Sequence, residues 1–223
     1  MELTWLGHSA FALKVASGQV ALLDPYLAGN PHPIERCDAI LLSHGHSDHL
    51  GSTLTLAKRF APAVVAIHEL AVWLEGQGIA TAAGMNKGGT LDLGYLRATM
   101  THAFHSSSTD GNIYLGEAAG YVIEADGKRL YFAGDTCVFG DMRLIAEIHG
   151  PIDIALLPIG DRYTMGPKEA SYACRLLRPK LVVPMHWGTF PMLTGTPAAL
   201  ETLITDLPGT RVAKLTPGGM LTV

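Results

Sequence analysis

Cysteine is scarce in this chain, and so is charge. Its three cysteines, Cys37, Cys137 and Cys174, are odd in number, widely spaced and outside any CxxC pair, which argues against a disulfide framework and against a thiolate zinc site. Charged residues make up only 16% of the chain against 48% hydrophobic, a balance that argues against disorder and for sheets buried on both faces. No apolar run reaches the ~20 residues of a membrane-spanning helix. The N-terminus also shows no charged and apolar leader pattern, so the expected location is the cytoplasm. Basic runs are missing, and a formal charge of -4 gives no general attraction to a phosphate backbone. No G-x-S-x-G elbow is present, which disfavours a serine nucleophile. No low-complexity segment or linker divides the 223 residues, so residues 1–223 are expected to form a single domain with a large core.

Short apolar or alternating runs at Leu3–Leu6, Phe11–Val15, Val20–Leu23 and Ala39–Ser43 predict strands joined by tight turns. From Ser47 the apolar spacing becomes helical and stops before Pro62, with Ser47 placed as an N-cap. Further strands are predicted at Val64–Ile67, Tyr95–Thr101, Ala119–Glu124 and Arg129–Ala133, the last two joined by a hairpin turn at Ala125–Lys128. Glu69–Gln77 reads as a helix, and Ala82–Thr90, with three glycines, as a loop long enough to reach a site. The second half alternates helix and strand: helices Met142–His149, Pro167–Leu177 and Pro197–Asp206, and strands Ile152–Leu157, Leu181–Met185, Val212–Leu215 and Met220–Val223. The pattern predicts two sheets face to face with helices outside, and does not by itself separate that from one mixed sheet.

Histidine is what the chain has in quantity, ten in all, and four ligand-type side chains fall within Ser43-His44-Gly45-His46-Ser47-Asp48-His49. His44 and His46 are two apart after a strand, so both imidazoles face one side and can share an ion. Asp48 and His49 open the following helix, where they can reach a second ion. Such crowding is unfavourable unless a cation offsets it. A dinuclear site needs more donors, and His105, Asp135 and His186 each follow a predicted strand. Residue chemistry alone does not choose between His105 and His102.

These segments, with Trp5–Phe11, Gly84–Thr90, Ala103–Ser108, Ala133–Thr136, Leu157–Gly160, Thr164–Pro167 and Pro184–Phe190, resemble the metallo-β-lactamase superfamily. Within it, nearly the whole chain resembles prokaryotic metal-dependent hydrolases related to the ascorbate-6-phosphate lactonase branch. The resemblance implies a four-layer αββα sandwich of mixed α/β class, with two divalent metal ions at one rim. It implies that His44, His46 and His105 hold the first ion, that Asp48, His49 and His186 hold the second, and that Asp135 bridges them. Asp24 would orient the histidine loop from behind. His8, in a turn, would face the metals as a supplementary ligand or a proton donor.

Two ions about 3.5–4 Å apart can lower the pKa of a bridging water and polarise a carbonyl or phosphoryl group. The expected activity is therefore hydrolysis of a small ester, lactone or phosphoester by a bridging hydroxide, with Asp48 also moving protons. His and Asp donors admit zinc first, and manganese, iron, nickel or cobalt besides. Asn86, Lys87, Ser106, Ser107, Ser108, Asp161, Arg162, Tyr163, Trp187 and Phe190 are candidates to line the substrate cleft. Three alternatives are weighed: a phosphodiesterase or nuclease, which the absence of a basic patch disfavours; di-iron redox chemistry, which lacks a fused flavin domain; and a non-catalytic metal-binding module of the same fold. Oligomeric state is not readable from the sequence.

Overall fold

The structure is a computed structural model that describes residues 1–223. In chain order its elements are β1 (Glu2–Gly7), β2 (Ala10–Lys14), β3 (Val20–Leu23), β4 (Ala39–Leu41), α1 (Ser47–Leu50), α2 (Thr53–Phe60), β5 (Ala63–Ile67), α3 (His68–Gly76) and β6 (Ala82–Met85). There follow β7 (Thr90–Asp92), β8 (Arg97–His102), β9 (Ala119–Ala125), β10 (Lys128–Phe132), α4 (Met142–His149), β11 (Ile154–Pro158), α5 (Pro167–Leu177), β12 (Leu181–Met185), α6 (Pro197–Leu203), β13 (Arg211–Val212) and β14 (Met220–Thr222).

The strands form two seven-stranded sheets, ordered β14-β1-β2-β3-β4-β5-β6 and β13-β12-β11-β10-β9-β8-β7. In each sheet an antiparallel half joins a parallel half, β3 to β6 in the first and β10 to β13 in the second. Strand alternation builds the layers. Tyr121, Ile123, Leu130 and Phe132 face the first sheet in a 40-residue cluster, whereas Val122, Tyr131, Ala155 and Leu157 face α4, α5 and α6 in a 17-residue cluster. Helix α3 covers β5 and β6 on the first sheet, completing the four-layer αββα sandwich. No helix is long and apolar enough to cross a membrane.

Pairing direction also decides where the loops meet. β1 and β3 both run antiparallel to β2 and so share its opposite direction, as β8 and β10 do about β9. The C-terminal ends of β1, β3 and β4 therefore emerge on one edge of the first sheet, and those of β8, β10, β11 and β12 on one edge of the second. Every candidate ligand follows one of these strands, at the edge where open parallel sheets place their sites.

Three expectations are corrected. The helix predicted from Ser47 breaks at Gly51, which has φ of 45°. A Cβ there would stand 2.6 Å from Pro25 O, so only glycine lets this junction pack against the Asp24 turn. Ser47 is the first helical residue and His46 the N-cap. The predicted loop at 82–90 is instead two edge strands, β6 and β7, around a tight turn in which Gly89 N–H donates to Asn86 O.

Candidate metal centre

The rim gathers two donor clusters. Ring nitrogens of His44, His46 and His105 lie within 4.8 Å of one another, as do donor atoms of His8, Asp48, His49 and His186. One carboxylate oxygen lies between the clusters: Asp135 Oδ2 is 3.0 Å from His186 Nε2, 3.2 Å from His49 Nε2 and 3.7 Å from His105 Nε2. The structure thus brings together all seven expected ligands and places His105, not His102, among them. His102 instead faces Lys87, 2.9 Å away.

Behind the donors stands Asp24, fully buried. Its Oδ1 accepts from Ser43 N–H at 2.7 Å, and its Oδ2 from Ser43 Oγ at 2.5 Å and from His49 Nδ1 at 2.6 Å. Ser43 Oγ, having donated to Asp24, accepts from His44 Nδ1 at 2.9 Å. Both histidines are thereby fixed with Nε2 turned toward the site, as a metal ligand requires. Ser43 is the positioning residue that sequence reasoning left without a role. Its signal was a hydroxyl immediately before the histidine loop.

Electrostatics differ between the clusters. Burial lowers the pKa values of His44, His46 and His105, leaving neutral imidazoles with lone pairs available. Burial also opposes charge on His186 and His49, but Asp135 on both, joined by Asp24 on His49, outweighs it. His186 is raised to about 9 and His49 well above its ordinary value. Burial pushes Asp48 and Asp135 up, and the surrounding histidines more than reverse this, so both stay ionised.

The donor set fits divalent metal. Asp135 Oδ1 is buried without a hydrogen-bond partner, an unfavourable state that an ion would relieve. Three neutral imidazoles facing one point suit a borderline cation, and carboxylates beside the second cluster offset more positive charge.

A linked pH dependence follows. An ion held by His186 would displace its proton below about pH 9, so metal binding there is expected to release protons and apparent affinity to rise with pH through the neutral range. The raised pKa also stabilises the metal-free fold below the unfolded value of about 6.5. That contribution is lost as pH climbs toward about 9. Calorimetric metal titration in buffers of different ionisation enthalpy checks the first effect, and metal-free melting across pH 6 to 9 the second. No proton release at neutral pH would refute the assignment.

His8, with φ of 50°, is 1% exposed. Its Nε2 donates to Asp48 Oδ2 at 3.0 Å, because a carboxylate can only accept, and its Nδ1 then accepts from Thr189 Oγ1 at 3.0 Å. His186 N–H donates to His8 O, tying the two loops together. Gly160 packs behind: a Cβ there would stand 2.0 Å from His186 O. Gly160→Ala is expected to shift the His186 loop, destabilise the fold by on the order of 2 kcal/mol and lower Tm by about 4–8 °C. Thermal melting and metal content check this, and a wild-type Tm with full occupancy would contradict it.

A cleft of about 300 Å³ opens onto the donors, lined by His46, Asp48, His105, Ser106, Asp135, Tyr163 and His186. Among the expected substrate residues, Ser106 and Tyr163 lie here. Ser107 instead accepts from Gly45 N–H through its Oγ, and Ser108 pairs with Tyr114 across a short hairpin. Asn86 is exposed with its Oδ1 on Lys87 N–H, and Lys87 is bound to Glu117. Asp161 Oδ1 accepts from Arg162 N–H, and Arg162 lies over the Tyr163 ring. Trp187 stacks on Trp5 with centroids 5.4 Å apart, outside the cleft, and Phe190 packs edge-on to His8.

Comparison with known proteins identifies the family. The family model for the β-lactamase superfamily domain matches residues 16–187. A UPF0173 metal-dependent hydrolase of Solibacter usitatus is 52% identical, with 98% of both chains covered, and one of Koribacter versatilis is 46% identical over 92% of this chain and 91% of its own. Among solved structures, Igni18, a metallo hydrolase of Ignicoccus hospitalis, superposes with TM-score 0.89 at 34% identity, covering 99% of this chain and 97% of that one. These names specify a metal-dependent hydrolase without placing it in the lactonase branch. The chain therefore belongs to the UPF0173 metal-dependent hydrolases of the metallo-β-lactamase superfamily.

Proposed function

We propose that the chain hydrolyses a small ester, lactone or phosphoester with two divalent ions, one held by His44, His46 and His105 and the other by Asp48, His49 and His186. The observation that carries this reading is the single Asp135 oxygen within 3.0–3.7 Å of His186, His49 and His105. When bound, such ions acidify a shared water and polarise the scissile group. Zinc suits the imidazole-rich donors best, with manganese, nickel, iron or cobalt also accommodated.

The remaining work falls to the chain itself. Asp24 and Ser43 hold His44 and His49 in their tautomers. His8 donates to Asp48 and so acts as a positioning residue that aims this carboxylate at the cleft. Asp48 is partly exposed at the cleft wall, and the histidines around it keep it ionised, so its part would be to hold the second ion as a carboxylate. The reading takes residues 1–223 as one domain, supported by the 40-residue core shared by both sheets. It places the chain in the cytoplasm, where the exposed free thiol of Cys137 would stay reduced.

The test is to load metal-free protein with each metal and assay chromogenic esters, lactones and phosphodiesters. Metal-dependent turnover on at least one class is expected. Stoichiometric metal that raises Tm without hydrolysis of any substrate would favour the non-catalytic module instead.

A further inference from the structure

The cleft keeps few groups for a substrate. Of the residues that line it, His46, Asp48, His105, Asp135 and His186 are the donors assigned to metal, which leaves the hydroxyls of Ser106 and Tyr163. Two divalent ions would outweigh the carboxylates of Asp48 and Asp135, so the cleft would draw in the substrate oxygen on which negative charge grows. A hydroxyl on the cleft wall can share that charge by donating a hydrogen bond.

The backbone presents Tyr163 for this role. It sits on the loop after β11, where Asp161 and Arg162 are successive non-glycine residues with positive φ, 70° and 57°. Such conformations are unfavourable and persist only where surrounding contacts hold them, as they do at functional sites. Here Asp161 N–H donates to Met165 O at 3.0 Å and closes the loop, and Met165 N–H donates to Thr136 O at 3.1 Å, one residue beyond Asp135. Met165 is fully buried, and Gly160, at the base of the loop, lies directly behind His186 O. The strained pair is thus fixed to the segments that carry Asp135 and His186. Arg162 Cζ stands 5.5 Å from the Tyr163 ring centroid and steadies one face of it. Tyr163 itself is 55% exposed, so its ring adds little to the core, and the strained turn serves its placement at the cleft.

We propose that Tyr163 is a catalytic residue whose hydroxyl donates a hydrogen bond to the carbonyl or phosphoryl oxygen of the substrate as charge builds there. This rests on the hydrolase reading above and adds a donor to it. In the reaction the oxygen of water bonds to the acyl carbon or phosphorus, and the bond from that atom to the leaving oxygen breaks. One proton of water passes to the leaving oxygen, and the other is released as the product acid ionises. The phenol keeps its own proton throughout.

The experiment pairs turnover with binding on the zinc-loaded protein. Tyr163→Phe removes only the hydroxyl, and Tyr172→Phe, exposed on α5, is the control. With 4-nitrophenyl acetate and bis(4-nitrophenyl) phosphate, Tyr163→Phe should lower kcat by about 10–100-fold and change KM less than about threefold. That is the split left by a contact made in the transition state, at the low end for an oxyanion donor because two cations share the charge. Calorimetry with inorganic phosphate should show affinity weakened about tenfold by the loss of one charge-assisted hydrogen bond. The tyrosine difference absorbance that phosphate produces in the wild type should vanish in the same variant. Zinc content and Tm should match wild type in both variants. Unchanged kcat in Tyr163→Phe, or an equal loss in Tyr172→Phe, overturns the proposal. If no substrate is turned over, the hydrolase reading fails, and phosphate decides on its own whether Tyr163 meets a ligand oxygen. Tenfold weakening then keeps that contact, whereas equal affinity, or no binding to the wild type, removes it.

Discussion

Asp135→Asn should lower kcat/KM by about 10³-fold or more, because losing several kcal/mol of metal-supported stabilisation costs about one decade per 1.36 kcal/mol. The amide matches the carboxylate in shape, so the expected loss comes from charge and not from packing. Asp135 is the carboxylate within ion-pair distance of His49, His105 and His186, so its neutralisation weakens both donor clusters at once. Without it His186 also loses the larger of the two carboxylate contributions, Asp135 before Asp48, that raise its pKa to about 9, and proton release on metal binding should shrink accordingly. Steady-state kinetics with elemental analysis of the purified variant checks both effects. Near-wild-type turnover with full metal content would remove Asp135 from the centre.

Asp24→Asn is expected to act more weakly on chemistry and more strongly on the fold. The buried Asp24 carboxylate accepts from Ser43 N–H, Ser43 Oγ and His49 Nδ1, and an amide must turn a donor toward at least one of these donors. The cost of one buried unmatched group is on the order of 2 kcal/mol. Disturbing the groups that orient metal ligands lowers affinity by about 10–100-fold. Metal titration and chemical denaturation of the metal-free protein separate the two effects. His46→Ala serves as the contrast, since it removes a donor from a partly exposed position and should reduce metal content with little change in metal-free stability. If Asp24→Asn matched wild type in both measurements, the Asp24–Ser43 scaffold would have no role.

How much could be read beforehand depended on the reach of each cue. Helices α4 and α5 run over the segments expected from their apolar spacing, Met142–His149 and Pro167–Leu177, because local periodicity and a proline at the first turn carry that information. The histidine loop was equally legible, as its four donors sit within six residues. The break at Gly51 was not, since it depends on the close approach of Pro25 and Tyr26, a contact between distant segments. Lys87 read as a substrate ligand because its partner, Glu117, is 30 residues away. The Ala82–Thr90 segment read as a loop because its glycines outweighed short edge strands whose pairing is set by β5 and β8. His8 and His186 adopt left-handed backbone conformations that hydrogen bonds across the two sheets hold in place, and no local pattern announces them.

Metal stoichiometry tests the central claim most directly. Metal-free protein titrated with zinc, with bound metal counted per chain and its sites located by anomalous scattering, should show two ions: one among His44, His46 and His105, the other among Asp48, His49 and His186, with Asp135 touching both. A single ion, or ions bound away from Asp135, would contradict the account.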